Sequence, residues 1–250
     1  MSELFSKLRL PEIVFFGLLA LLWEMAPGWF GIRPYLLPPL SSVLAALWTN
    51  AGELYRHSLV TLNEVVVGYV WAVVGGLALG LAIHAVPLAR RTVYPLIILF
   101  QGLPKVALAP LMVIWFGYGL TSKVLMAFLF AFFPMVIGML GGLESVPSHL
   151  REHFDAIGAS RWTRFWRLQM PAALPSIVDA CKTAMPLAVI GAIVGEFVGA
   201  EGGLGYVILS ANASARSDLL FAALVVISIL STLLYLMVEL LGRRVWWRGI

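Results

Sequence analysis

Residues 152–171 read EHFDAIGASRWTRFWRLQMP, a polar and aromatic stretch between two long apolar runs. A charged segment of this length is not tolerated against lipid, so it lies outside the bilayer. Glu152, Asp155 and Ala156 precede Gly158 at spacings of about one and a half helical turns, and the glycine lets the chain turn. Beyond it, Arg161, Arg164 and Arg167 recur at every third position while Trp162, Phe165 and Trp166 take another face. The pattern predicts an amphipathic helix in the headgroup layer, rings dipping inward and guanidinium groups toward phosphate. Pro171 and Pro175 are expected to end it and to open the next membrane helix.

The rest of the chain reads as membrane. Hydrophobic residues make up 61% of it and charged residues 12%, against about a quarter charged in soluble domains. No polar stretch is long enough for a soluble catalytic domain, so the chain is expected to be a single transmembrane domain over residues 1–250 and not an enzyme. Energy for any pumping must then come from a partner or an ion gradient. The single cysteine, Cys181, excludes an internal disulfide and a cysteine-rich metal site. The net charge of +4 does not point to nucleic acid, because the basic residues stand in short groups at the ends of apolar runs.

Six spans are predicted, at about 11–30, 59–86, 92–116, 122–144, 174–199 and 219–241, with a loop at 145–173. The first contains Glu24 and meets Pro27 where a cleavage site would need small residues, which favours an uncleaved span over a secretory signal. Residues 31–58 are expected to form a short outer amphipathic helix that Ser41 or Ser42 caps and that runs toward Glu53. Small residues at steps of four, Gly68, Ala72, Gly76 and Gly80 in the second span and Gly191, Gly195 and Gly199 in the fifth, form ridges for close helix contact. Gly138 and Gly142 make a similar pair, and Pro134 is expected to kink the fourth span. Gly102, Pro104 and Pro110 interrupt the third, and a break at membrane depth is tolerated only against protein or a watery cavity. Gln101, Lys105, Met112 and Trp115 on this span, with Glu196 in the fifth, are therefore the pathway candidates. The glycine-rich polar segment 201–218 carries an apolar patch, Tyr206 to Leu209, too short to span; it would be a re-entrant turn or lie on the outer face.

Placing Lys7, Arg9, Arg90, Arg91, Arg151, Arg161, Arg164, Arg167, Arg243, Arg244 and Arg248 inside leaves Arg33, Arg56, Lys123 and Arg216 outside. Both termini and the 145–173 loop then face the cytoplasm. Trp246 and Trp247 would sit at the interface.

The order Glu152, His153, Phe154, three residues, Gly158, nine residues, Leu168-Gln169-Met170-Pro171 resembles the EAA loop of ABC-importer permeases, whose pattern is EAA, three residues, Gly, nine residues, I-x-L-P. The two alanines are His153 and Phe154 here, and the final Ile and Leu are Leu168 and Met170. LPKVALAPLMVIWFGYG (103–119) and IVGEFVGAEGGLGYVI (193–208) resemble segments of the nitrate, sulfonate and taurine branch of that family. The resemblance runs from about Leu36 to the C-terminus. It implies an all-α permease with a cytoplasmic coupling helix in a bacterial inner membrane, paired with a second copy of itself, two ATP-hydrolysing subunits and an extracytoplasmic solute-binding protein. No cofactor is implied for this chain; ATP and Mg would be bound by the partner ATPase. Glu152, Asp155, Ala156, Gly158 and Ala159 would be the ATPase-coupling residues, the carboxylates meeting basic groups and the small residues permitting close approach. The solute would be a small anion such as a sulfonate, taurine or nitrate, although related permeases carry uncharged vitamin precursors.

Two other readings use the same residues. HLREH (149–153) satisfies the inverted zincin pattern H-x-x-E-H, which would need a further metal ligand and a surrounding soluble fold. An ion-coupled secondary transporter or channel would show related halves or several intramembrane carboxylates. Glu196 is the one candidate of that kind.

Overall fold

The computed structural model describes residues 10–245, and among these every regular element is helical. Helix α1 covers Leu10–Trp29, α2 Leu40–Thr49, α3 Ala51–Ala85 and α4 Pro87–Gln101. A 3₁₀ turn at Lys105–Leu108 leads into α5, Ala109–Phe116, and then α6 runs over Leu120–Glu144. The polar segment folds as α7, Ser148–Ala156. Helix α8 is Arg161–Phe197, followed by α9, Leu204–Ala213, and α10, Ser217–Val245. Lys7, Arg9, Trp246, Trp247 and Arg248 lie outside the described residues.

Four helices, α3, α6, α8 and α10, are long and apolar enough to cross a membrane. The α4/α5 pair, bent by 92° at the predicted break, makes a fifth if taken as one span. The expected first span coincides with α1, whose apolar part Ile13–Trp29 is shorter. Large apolar side chains face outward along the bundle, among them Trp71, Val74, Leu233 and Met237. A surface of that kind suits hydrocarbon, with helices satisfying their own backbone groups.

Helix α6 is the centre, packed on α3 along one side and on α8 along the other. Met126, Ala127, Ala131, Met135 and Val136 of α6 are wholly buried. The predicted ridges make these contacts. A Cβ built on Gly76 would lie 2.5 Å from the Met135 Cβ, and one on Gly191 would lie 2.5 Å from the Met126 carbonyl oxygen. Hydrophobic burial does not drive helices together in lipid, so this backbone proximity supplies the dispersion contacts that do.

The structure departs from the sequence reading in three places. The second span begins at Ala51 and continues through Glu53, Arg56 and His57, because only Asn50 separates α2 from α3 and the polar residues form its outer end. Ser41 does not cap α2: its N–H and hydroxyl donate to the Glu24 carboxylate at 2.8 Å, so α1 supplies the cap. Pro171 and Pro175 do not separate an interfacial helix from a span. Phe165–Gln169 forms a π turn in which the Met170 N–H donates to the Phe165 carbonyl, a local adjustment that lets a helix carry proline. Lys123, assigned to the extracytoplasmic side, is 7% exposed within the bundle, between α3 and α8.

The packing generates a prediction. Gly76→Leu should destabilise the α3–α6 contact by about 1–3 kcal/mol or more, seen as a lower unfolding temperature in detergent. Gly75→Ala should be tolerated, since a Cβ there meets Phe132 at 3.5 Å.

Candidate functional site

The polar segment between α6 and α8 is built by local rules. Pro147 precedes α7, and Gly158 closes it with φ +68°. The Gly158 N–H donates to the Asp155 carbonyl at 3.0 Å and the Ala159 N–H to the Phe154 carbonyl at 3.0 Å. These two bonds are the Schellman closure, which requires a left-handed residue at the position Gly158 occupies. Ser160 then starts α8, its Oγ accepting from the Thr163 N–H at 3.1 Å. Sequence reading did not single out this cap, although Ser160 stands three residues before Thr163.

Side chains tie the segment to the bundle. Arg164 of α8 donates to Asp155 of α7, folding one helix against the other across Gly158. Arg151 Nη2 donates to the Glu144 carbonyl at 2.7 Å, while the Glu144 carboxylate lies 2.8 Å from Arg90 Nη2 of α4. Glu144 thus joins α4, α6 and α7, a role its sequence position at the end of an apolar run does not announce. Of the two acidic residues expected to face a partner, Asp155 is engaged within the chain. Glu152 is exposed and makes no ion pair among the described residues. Ala156 and Gly158 are exposed and Ala159 is half-buried beside them. His149 and His153 are exposed on α7, and among the described residues no group of three His, Cys, Asp or Glu could hold a metal ion.

At the broken span the pathway candidates do not converge. Lys105 lies over the Phe133 and Phe130 rings of α6 at 5.0 and 5.8 Å, cation–π distances. Gln101 is exposed at the end of α4, and Trp115 is 63% exposed on α5. Met112 points inward instead, packing with Ala109 and Met126. Glu196 lies elsewhere, wholly buried where α3, α8 and α9 meet. Its Oε1 accepts from the Thr61 hydroxyl at 2.6 Å, and its Oε2 from the Gly205 N–H. The Leu204 N–H donates to Thr61 Oγ1 at 2.9 Å and the Gly203 N–H to His57 Nδ1 at 3.0 Å. Three side chains therefore take up the opening amides of α9, so the glycine-rich segment folds back into the bundle. Sequence reading singled out Glu196 but missed Thr61 and His57, which sit on α3 one turn apart.

A helical membrane bundle with one broken span and a rigidly closed polar helix between two others has the organisation of a membrane transport component. The chain belongs to the family described as binding-protein-dependent transport system inner membrane component, which matches residues 72–247. It is 34% identical over 242 residues to a probable ABC transporter permease of Haemophilus influenzae, covering 96% of this chain and 99% of that one. Identity is 36% over 229 residues with the formylaminopyrimidine transport permease ThiX of Halalkalibacterium halodurans, covering 91% of each. With the taurine permease TauC of Escherichia coli it is 34% over 226 residues, covering 87% and 82% respectively. The fold resembles a chain in an inward-facing structure of the MetNI methionine ABC transporter, with a TM-score of 0.68 at 23% identity over 79% of this chain and 98% of that one. These relatives are transport permeases, not enzymes, and this chain is a multi-pass membrane permease of their family.

The closure at Gly158 can be tested alone. Gly158→Val should speed hydrogen exchange at the Gly158 and Ala159 amides by roughly 5- to 30-fold, corresponding to about 1–2 kcal/mol for a left-handed side chain. Gly158→Asn, which tolerates that conformation, should stay near wild type.

Proposed function

We propose that this chain is the permease subunit of an ATP-driven importer, carrying the solute path and meeting a partner ATPase through the segment from Glu152 to Ala159. The observation that carries this reading is the family match, which takes in the broken span, the polar segment and helices α8 to α10 in one stretch. Two copies of the chain would enclose the path and two ATPase subunits would bind ATP and Mg, with an extracytoplasmic binding protein delivering solute. With α1 and the α4/α5 pair both spanning, six spans put both termini and α7 in the cytoplasm, in accord with the arginines around α7.

The free carboxylate of Glu152 suits an ATPase groove with basic residues, and Asp155 serves by fixing α7 to α8. A helix so tied transmits the partner's rigid-body motion to α4, α6 and α8 through Arg90, Glu144 and Arg151. Lys105, a cation near the break whose only close partners are two aromatic rings among the described residues, favours an anionic solute such as a sulfonate. Permeases named for formylaminopyrimidine and taurine are nearly equally similar, so selectivity among solutes would reside chiefly in the binding protein.

Proteoliposomes holding this chain with its ATPase and binding protein should accumulate labelled taurine or another sulfonate only when ATP is supplied. Accumulation driven by a proton or sodium gradient without ATP would overturn the importer reading. Glu152→Ala should weaken ATPase capture roughly 10- to 150-fold, the equivalent of about 1.5–3 kcal/mol for a charge-assisted hydrogen bond. Arg164→Gln should weaken capture less, since it disturbs the segment without removing the contact.

A further inference from the structure

Two carboxyls and one ammonium are sealed together in the bundle. Glu64 of α3 is 1% exposed, Glu196 of α8 is 0% and Lys123 of α6 is 7%. Two ionised carboxylates beside one lysine would leave an unbalanced charge in the protein interior, an arrangement that is strongly destabilising.

The hydrogen bonds distinguish the two acids. Both oxygens of Glu196 are acceptors, one for the Thr61 hydroxyl and one for the Gly205 N–H, as befits an ionised group. The surroundings of Glu64 are the reverse. Its Oε1 lies 3.9 Å from Lys123 Nζ, too far for a hydrogen bond, and its buried Oε2 has no hydrogen-bond partner among the described residues. Thr61, one turn before Glu64 on the same face of α3, reaches the Glu196 carboxylate, and Lys123 lies against both Glu64 and Gly195, so the two acids stand side by side in the bundle. No amide or hydroxyl is aimed at Glu64 Oε2, and a buried oxygen left so is costly. A proton of its own, directed at Glu196, satisfies it.

We infer that Glu64 is a neutral carboxylic acid whose O–H donates to the Glu196 carboxylate, so that the pair holds one proton and Lys123 balances the remaining negative charge. The proton comes from water as the core closes, and no other bond is made or broken. Glu64 is thereby a positioning residue. It holds Glu196 ionised and oriented, and Glu196 with Thr61 receives the Gly205 and Leu204 ends of α9. Glycine at 203 belongs to the same arrangement, since a Cβ there would lie 2.3 Å from the Glu196 carboxyl carbon.

Infrared spectra of the purified full chain, with and without ¹³C-labelled glutamate, test this without any transport assay. Near neutral pH wild type should show an isotope-sensitive carbonyl stretch of a neutral carboxylic acid, which Glu64→Gln abolishes. That variant should keep the wild-type unfolding temperature in detergent, because the glutamine amide donates to Glu196 as the acid did. Glu196→Gln should lower the unfolding temperature by several degrees, because a single amide oxygen replaces two acceptors. Absence of the acid band in wild type would overturn the inference. So would its persistence in Glu64→Gln, or a loss of stability in Glu64→Gln as large as in Glu196→Gln.

Discussion

Helix α6 touches α3 and α8 where backbone meets backbone, and this proximity sets the rest of the structure. Gly76 and Gly80 admit Met135 and Met139 on one side, and Gly191 and Gly195 admit Met126 and Lys123 on the other. In lipid such contacts replace the hydrophobic collapse of a soluble core, since outward-facing apolar surface gains nothing by being hidden. They also decide where charge is placed. With Gly195 against the backbone of Lys123, the ammonium is carried to within 3.9 Å of Glu64, and the polar cluster forms at the height those ridges dictate.

Much of this was legible in the sequence, for identifiable reasons. The apolar runs gave the helices, Gly102 and Pro104 gave the break, and the small residues at steps of four gave the packing faces. What escaped were polar residues satisfied by distant partners. The sequence does not show that Lys123 is buried beside Glu64, and Thr61 reads as an ordinary span residue until Glu196, 135 positions away, accepts its hydroxyl. Ser41 reads as its own helix's cap, although the carboxylate that receives it comes from α1. In the polar segment the reading was right about Gly158 as a turn and incomplete about the acids. The sequence presents Glu152 and Asp155 as equivalents, and only the fold shows that Asp155 is already held by Arg164.

The polar segment and the buried cluster solve the same mechanical problem at opposite ends of α8. At one end Arg164 fixes α7 to the helix, and at the other Glu196 fixes α9. Between them α8 packs on α6 over most of its length. On the proposed reading, a displacement imposed on α7 would pass along α8 toward α9, and Glu144 would spread it sideways to α4.

The π turn at Phe165–Gln169 gives chain length itself a meaning. Such a turn holds one residue more than an α turn and takes up that length with little rotation of the helix on either side. An α-helix advances about 100° per residue, so a residue lost from the regular stretch before it would swing everything that precedes by roughly that angle about the α8 axis. Glu152 would then face a different direction while the contacts of α8 with α6 beyond the π turn stayed in place. The interval from Gly158 to Leu168, which is buried at 4% exposure while Trp162 and Trp166 stay outside, thus acts as an angular setting between the polar segment and the bundle. The length of that interval, taken with the π turn at its end, sets the direction in which Glu152 faces.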